Sequence, residues 1–275
     1  MSLTPAGNRL LVFPSETYDV EAARVLLDRM RGVVRAKGRV VVALPFGKTP
    51  LGIYREWRSR ASEFDWSKAV LVNGDEYVRA DPQDPKTAIA FFRKNVEPLR
   101  SAGLTHLHWI DGRRSPDEGI AEHRDFIAAH GGIDLMVMGL APGPHWPLYA
   151  PLRLLRRLVP CSASWVSQAA SRFASVHVWF NEKDSPVDST LRVTRVNPRT
   201  QRRNGVAYKQ AITMGLKDVR STKEAVFLLA KGADKRSAVD LALFGAPTPA
   251  IPASVVQHPD VADRVICLVD EAAGT

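Results

Sequence analysis

Short apolar runs alternate with longer amphipathic stretches along almost the whole of this 275-residue chain, and that alternation constrains the fold more than any other feature. A short apolar run suits a strand buried on both faces, and the amphipathic stretch after it suits a helix laid across the sheet. The candidate strands are Arg9 to Phe13, Arg39 to Leu44, Ala69 to Asn73, His106 to Ile110, Leu135 to Gly139, Val176 to Phe180, Ala225 to Ala230 and Val265 to Val269. Val20 to Ala36, Thr49 to Ser59, Pro85 to Leu99, Pro116 to Ala129 and Lys235 to Phe244 carry apolar residues at helical spacing, with Thr49-Pro50 and Ser115-Pro116 as candidate caps. This rhythm predicts an α/β fold, a Rossmann-like three-layer sandwich around a mainly parallel sheet, in a single domain over 1–275.

One segment, at about 144–175, breaks the rhythm. It mixes prolines with Trp146, Tyr149 and Trp165 and contains the run Leu152-Arg-Leu-Leu-Arg-Arg-Leu158, so it reads as an insertion. Its leucines and arginines would fall on opposite helical faces, as in a helix packed on the body of the protein. A lid or a homo-oligomer contact is the sharper reading.

No apolar run reaches the eighteen or more residues of a membrane span, and the N-terminus lacks the basic-then-apolar layout of a secretory signal. A cytoplasmic protein without a membrane partner is expected. Cys161 and Cys267 lie far apart and near no other cysteine or histidine at ligand spacing, which implies neither a disulfide framework nor a metal site. The net charge of +9 is concentrated around Arg153–Arg157 and Arg192–Arg203. Arginine suits phosphate on a sugar or on a nucleic acid, but no aromatic-basic or helix-turn-helix pattern accompanies the charge. The expected partner is therefore a small anionic molecule, with no nucleic acid.

Three stretches carry chemistry. Leu44-Pro-Phe-Gly-Lys-Thr-Pro50 follows an apolar run and opens a helix. Either it cradles phosphate on a helix N-terminus, with Gly47, Lys48 and Thr49 as donors, or it is a tight turn with an N-cap. Val72-Asn-Gly-Asp-Glu-Tyr-Val78 places two carboxylates at a strand's C-terminal end, where open α/β sheets bind ligands. One of them is expected to face the cleft as a general base. His177-Val-Trp-Phe-Asn-Glu182 offers an imidazole and a carboxylate able to orient it.

The order of these motifs resembles the glucosamine-6-phosphate deaminase and 6-phosphogluconolactonase superfamily. Its deaminase branch reads G-[ST]-T-P, then [LM]-D-E-Y, then D-G-H-I-A-F-N-E-P. Here Gly47-Lys-Thr-Pro50, Gly74-Asp-Glu-Tyr77 and His177-Val-Trp-Phe-Asn-Glu-Lys183 occur in that order. Asp188-Ser-Thr-Leu-Arg192, Gln210-Ala-Ile-Thr-Met-Gly215, Lys231-Gly-Ala-Asp-Lys235 and Ile251-Pro-Ala-Ser254 resemble later landmarks. The resemblance implies aldose–ketose isomerisation with deamination of an amino sugar phosphate, needing no cofactor and no metal. Asp75 would move a proton between C2 and C1, and His177 would assist ring opening with Glu182 as its partner. Gly47, Lys48, Thr49 and Lys235 would hold the phosphate. The alternatives are a 6-phosphogluconolactonase, a deaminase-like enzyme with an altered substrate, and a protein that only binds sugar phosphates.

Three positions depart from the family pattern. The aspartate two residues before the histidine is Ser175, the proline after the glutamate is Lys183, and the arginine expected against the phosphate aligns with Val206. Lys48, Arg202 or Arg203 could supply that cation instead. A second alignment would put His145 in the place of His177 but loses the F-N-E wording. Arg192 matches a position of an inter-subunit effector site in some relatives, or is a solvated strand-end charge.

Overall fold

The computed structural model describes residues 2–274 except 145, 146, 148, 152, 153, 155–165, 167, 168, 171 and 173–175. Most of the segment expected to be an insertion, with His145 and Ser175, therefore lies outside the described residues.

The main sheet contains β1 (Ser2–Leu3), β2 (Arg9–Phe13), β3 (Val40–Leu44), β4 (Ala69–Asn73), β6 (His106–His108), β7 (Leu135–Gly139), β10 (Ala225–Ala230) and β11 (Val265–Asp270). Their order is β1-β2-β11-β10-β7-β3-β4-β6, and β1 alone pairs antiparallel. A smaller antiparallel sheet joins β5 (Asp75–Tyr77), β9 (Gln210–Thr213) and β8 (Arg192–Arg195). The expected fold class, a three-layer α/β sandwich with a mainly parallel sheet, is the one observed.

Successive side chains of a strand point to opposite faces, so each central strand feeds two cores. From β10, Ala225, Phe227 and Leu229 enter one core, and Val226, Leu228 and Ala230 enter the other. The first core is covered by α1 (Tyr18–Lys37), α2 (Lys48–Ser59) and α3 (Ala88–Asn95), through Leu26, Met30, Ile53, Trp57 and Phe92 among others. The second holds residues of α4 (Pro116–Ala129), of α7 (Arg236–Phe244) and of the small sheet; α5 (Pro198–Asn204) and α6 (Leu216–Arg220) flank that sheet. Cys267 is buried there as a free thiol, and burial alone raises its pKa.

Local chemistry sets the helix ends. Ser115 and Glu118 form a capping box at the start of α4, and Gly38 closes α1 in the left-handed conformation. The helix expected over Pro85 to Leu99 is shorter, because Thr87 caps Ala90 N and Pro98 lies in a following 3₁₀ turn, Glu97–Ala102. The run Val176 to Phe180 is not a strand. Val178 makes only isolated bridges to Leu140 and Asn181, and its apolar residues are buried as a turn rather than in a ladder. Among the described residues, no helix is long and apolar enough to cross a membrane.

Strand order fixes where a ligand can enter. From β3 the chain proceeds to β4 and β6 on one side, and from β7 to β10 and β11 on the other. The connections after β3 and β7 thus diverge to opposite sides and leave a crevice at the strand C-termini.

Candidate active site

A cavity of about 550 Å³ occupies that crevice. Pro45 to Leu51 after β3, Asp75 and Tyr77 of β5, Gly139 to Pro142 after β7, His177, Trp179, Arg203 and Lys235 contribute to its wall. Asp75, His177, Gly47, Lys48, Thr49 and Lys235, drawn from four separated stretches of sequence, are brought together there.

The two neighbouring carboxylates part because they lie on a strand. Asp75, Glu76 and Tyr77 pair with Thr213, Ile212 and Ala211, and the twofold alternation sends Asp75 and Tyr77 to the cavity. Glu76 accepts the backbone N–H groups of Tyr77 (2.7 Å), Ala88 (3.1 Å) and Ile89 (2.7 Å), so it anchors the start of α3. Burial pushes its carboxyl up to about 7 against the lowering effect of those three N–H donors. Asp75 is only 3% exposed, and its Oδ1 has no hydrogen-bond partner among the described residues. Burial first, and the charge of Glu76 second, raise its pKa well above the usual carboxylate range.

His177 is held by its backbone. Its carbonyl accepts Ala141 N at 2.9 Å, which ties the turn to the end of β7, and its side chain is buried in the cavity wall. The rest of the turn is fastened by Asn181, whose amide donates to Met214 O at 2.7 Å. Arg192 donates to Asn181 Oδ1 at 2.9 Å and to Ser185 Oγ at 3.2 Å, so it braces this turn from β8.

Glu182 does not line the cavity. Its Oε1 accepts Asn197 N at 3.1 Å, at the start of α5, and its negative charge acts on the guanidinium of Arg203 in the last turn of that helix. The sequence spacing of Glu182 from His177 suggested a direct pair; the turn between them instead directs the carboxylate toward α5.

The cations form a group of their own. Gly47, at φ 120° and ψ −169°, adopts a backbone conformation open essentially to glycine, and α2 starts at Lys48 with no side chain capping it among the described residues. Lys235, just before α7, is largely buried, and its pKa is lowered to about 8, chiefly by burial and further by the charges of Arg203 and Lys48. Asp234 opposes that shift from 3.8 Å. Arg203 is the cavity residue that sequence reasoning fixed least well. It stood as one of three substitutes for a missing arginine, and only the packing of α5 selects it, with Asn204 donating to Tyr77 Oη at 3.0 Å. A cation group only partly offset by carboxylates, beside an uncapped helix start, suits an oxyanion, and a dry carboxylate with an imidazole in the same cavity can move protons.

This open α/β protein carries, at the switch point of its sheet, a cavity whose cations and free helix start suit a small anion. The family model described as glucosamine-6-phosphate isomerases/6-phosphogluconolactonase matches residues 15–146. The chain is 28% identical over 243 residues to glucosamine-6-phosphate deaminase of Lachnoclostridium phytofermentans, spanning 84% of this chain and 88% of that protein. It is 26% identical over 254 residues to glucosamine-6-phosphate deaminase 2 of Bacillus subtilis, spanning 88% and 89%. Among solved structures it is similar to a monomeric glucosamine-6-phosphate deaminase, with TM-score 0.74, 20% identity and coverage of 96% and 98%. The 6-phosphogluconolactonase of Thermotoga maritima is similar in fold, with TM-score 0.68, 14% identity and coverage of 96% and 99%. The chain is thus similar, over residues 15–146, to the glucosamine-6-phosphate isomerase and 6-phosphogluconolactonase family and, over most of its length, to enzymes named glucosamine-6-phosphate deaminase.

Proposed function

We propose that the enzyme converts glucosamine 6-phosphate and water to fructose 6-phosphate and ammonia, with Asp75 as the base and His177 as the ring-opening group. The observation that carries this reading is the shared cavity, in which a dry carboxylate and an imidazole accompany Lys48, Arg203 and Lys235. The cations and the first turn of α2, with Gly47 and Thr49, hold the phosphate and so fix the sugar, which turns proton transfer into a step within one complex. His177 assists opening of the pyranose at O5. Asp75 then takes the proton from C2 and returns it at C1, leaving an imine at C2 that water hydrolyses with release of ammonia.

A carboxyl whose pKa is raised by burial is better matched to this task than an ordinary one, because a base works best with a pKa near the working pH. Glu182 acts through α5, where it supports Asn197 and faces the charge of Arg203. The similarity of the deaminase relatives over most of their length supports the deaminase reading over lactone hydrolysis, for which the fold likeness to 6-phosphogluconolactonases speaks. Ser175, in the place of the family's aspartate, is expected to make turnover slow.

The test is incubation of the purified protein with glucosamine 6-phosphate and, separately, with 6-phosphogluconolactone. Ammonia and fructose 6-phosphate should form in equal amounts from the first. Hydrolysis of the lactone with no ammonia from the amino sugar would replace this reading with the lactonase.

A further inference from the structure

The turn that delivers Lys235 to the cavity is fastened from outside it. β10 ends at Ala230, and residues 231–235 carry the chain from there to the start of α7. Gly232 lies at φ 97° and ψ 150°, a backbone region open essentially to glycine. Its carbonyl accepts Lys235 N at 2.9 Å, so the geometry at Gly232 sets where the lysine backbone lies. Its own N–H donates to Asp270 Oδ1 at 2.9 Å.

Asp270 is the last residue of β11, the strand beside β10, and is 2% exposed. A carboxylate buried so far needs hydrogen bonds to its oxygens. Oδ1 accepts Ala273 N at 2.9 Å as well as Gly232 N, and Oδ2 accepts the hydroxyl of Ser15, just after β2, at 2.9 Å. Asp270, Ser15, Gly232 and Ala273 all stand outside the cavity lining. A second carboxylate holds the other end of the same turn. Asp19 of α1 pairs with Lys231 Nζ at 2.9 Å, and it lies so close to Gly52 of α2 that a Cβ there would stand 2.0 Å from its Oδ2. The turn bearing Lys235 is therefore tied both to the end of β11 and to the helix whose start faces the cavity.

We propose that Asp270 is a positioning residue of the anion site: through Gly232 it holds the 231–235 turn so that the Lys235 ammonium faces the cavity together with Lys48 and Arg203. The proposal rests on the reading that Lys235 holds the phosphate. Before an anion arrives, the charges of Arg203 and Lys48 act against the ammonium of Lys235, so these like charges do not keep it in place. Its side chain has four rotatable bonds, and the fixed point from which they start is the backbone that Gly232 holds. Asp270 thus prepares the site without touching the bound molecule.

The experiment is a double-mutant cycle. Inorganic phosphate is titrated calorimetrically into the wild type, Asp270→Ala, Asp270→Asn, Lys235→Ala and the double variant Asp270→Ala/Lys235→Ala, and KM and kcat for glucosamine 6-phosphate are measured on the same proteins. Asp270→Ala should weaken phosphate about five- to tenfold and raise KM in step, with little change in kcat. In the Lys235→Ala background the same substitution should cost no further affinity, because the ammonium it positions is gone. Asp270→Asn keeps Oδ1 as the acceptor for Gly232, and the Ser15 hydroxyl can turn to accept its new amide, so this variant should restore the affinity. Losses that add in the double variant overturn the proposal, as does a folded Asp270→Ala that binds phosphate as the wild type does. Should circular dichroism show Asp270→Ala unfolded, Asp270→Glu, which displaces the acceptor by one methylene, takes its place in the cycle under the same criteria. A wild type that binds phosphate no more tightly than Lys235→Ala fails the assignment of Lys235 to the anion instead.

Discussion

At the β5 wall of the cavity the carboxyl of Asp75 is sunk into the protein. The loops and helix ends that bear Lys48, Arg203 and Lys235 instead present cations only partly offset by Asp234 and Glu182. Desolvation acts on both regions and has opposite consequences. It pushes Asp75 toward its neutral form and so toward a proton affinity useful in catalysis. It pushes Lys235 toward losing its proton, a strain that an arriving phosphate would relieve. In the proposed mechanism one region exchanges protons with the bound sugar phosphate and the other holds it.

Substitutions should separate the two. Asp75→Asn keeps the shape and removes the base, so turnover of glucosamine 6-phosphate should fall about a thousandfold, while the dissociation constant for inorganic phosphate stays put. Stopped ammonia release with unchanged phosphate binding is the expected pair of results. Turnover that persists would take Asp75 out of the mechanism. Lys235→Ala and Arg203→Ala should show the reverse split, with KM rising about 10- to 100-fold through the lost charge-assisted hydrogen bonds and kcat falling less. A large loss of kcat with unchanged KM in either variant would mean that the two regions are not divided as described.

Glu76 tests whether adjacency to Asp75 means shared function. Glu76→Ala leaves three buried N–H groups without their acceptor, at Tyr77, Ala88 and Ile89. Stability should drop by about 2–3 kcal/mol, read as a lower urea midpoint. The folded fraction should retain turnover within about an order of magnitude, given that Glu76 faces α3 and only a charge effect reaches Asp75. Equal losses of activity in Glu76→Ala and Asp75→Asn would erase the distinction.

The pH responses of the two regions run in opposite senses. Asp75 holds its proton more tightly folded than unfolded, so its contribution to stability is present at low pH and is lost as pH rises above the unfolded value toward the folded one. Lys235 holds its proton less tightly folded, at about 8 against the ordinary lysine value of 10.5, so its contribution to stability rises with pH between those values. Phosphate affinity depends on the protonated form and should weaken about tenfold between about pH 7 and pH 9. The loss should be absent from Lys235→Ala. Titration calorimetry at several pH values reads it, and a pH-independent affinity in the wild type would remove Lys235 from the anion site.

The same contrast explains what could be read in the sequence. Buried parallel strands announce themselves as apolar runs, so Ala69–Asn73, Leu135–Gly139 and Ala225–Ala230 have the expected bounds. The resemblance pointed to Gly47, Lys48, Thr49, Asp75, His177 and Lys235 because each sits in a short contiguous motif, and the fold gathers them in one cavity. The small antiparallel sheet escaped notice, since strands of three or four residues such as Asp75–Tyr77 are too short to show a period. Arg203 and the direction of Glu182 were illegible for a different reason. Both depend on where α5 packs, and no local pattern encodes a contact between residue 182 and residue 197.

Glu182 therefore gives the smallest predicted effect and the sharpest test of that last point. Its carboxylate accepts Asn197 N and faces the charge of Arg203 from outside the cavity wall. Glu182→Gln keeps an acceptor for Asn197 and removes the charge, so KM should shift about two- to fivefold with little change in kcat or in the pH optimum. A carboxylate that instead worked directly on His177 would, when neutralised, move the pH profile of kcat and cut it by orders of magnitude. The two mechanisms leave different signatures in one pH-rate series. A lowered kcat with a displaced pH optimum would return Glu182 to the imidazole.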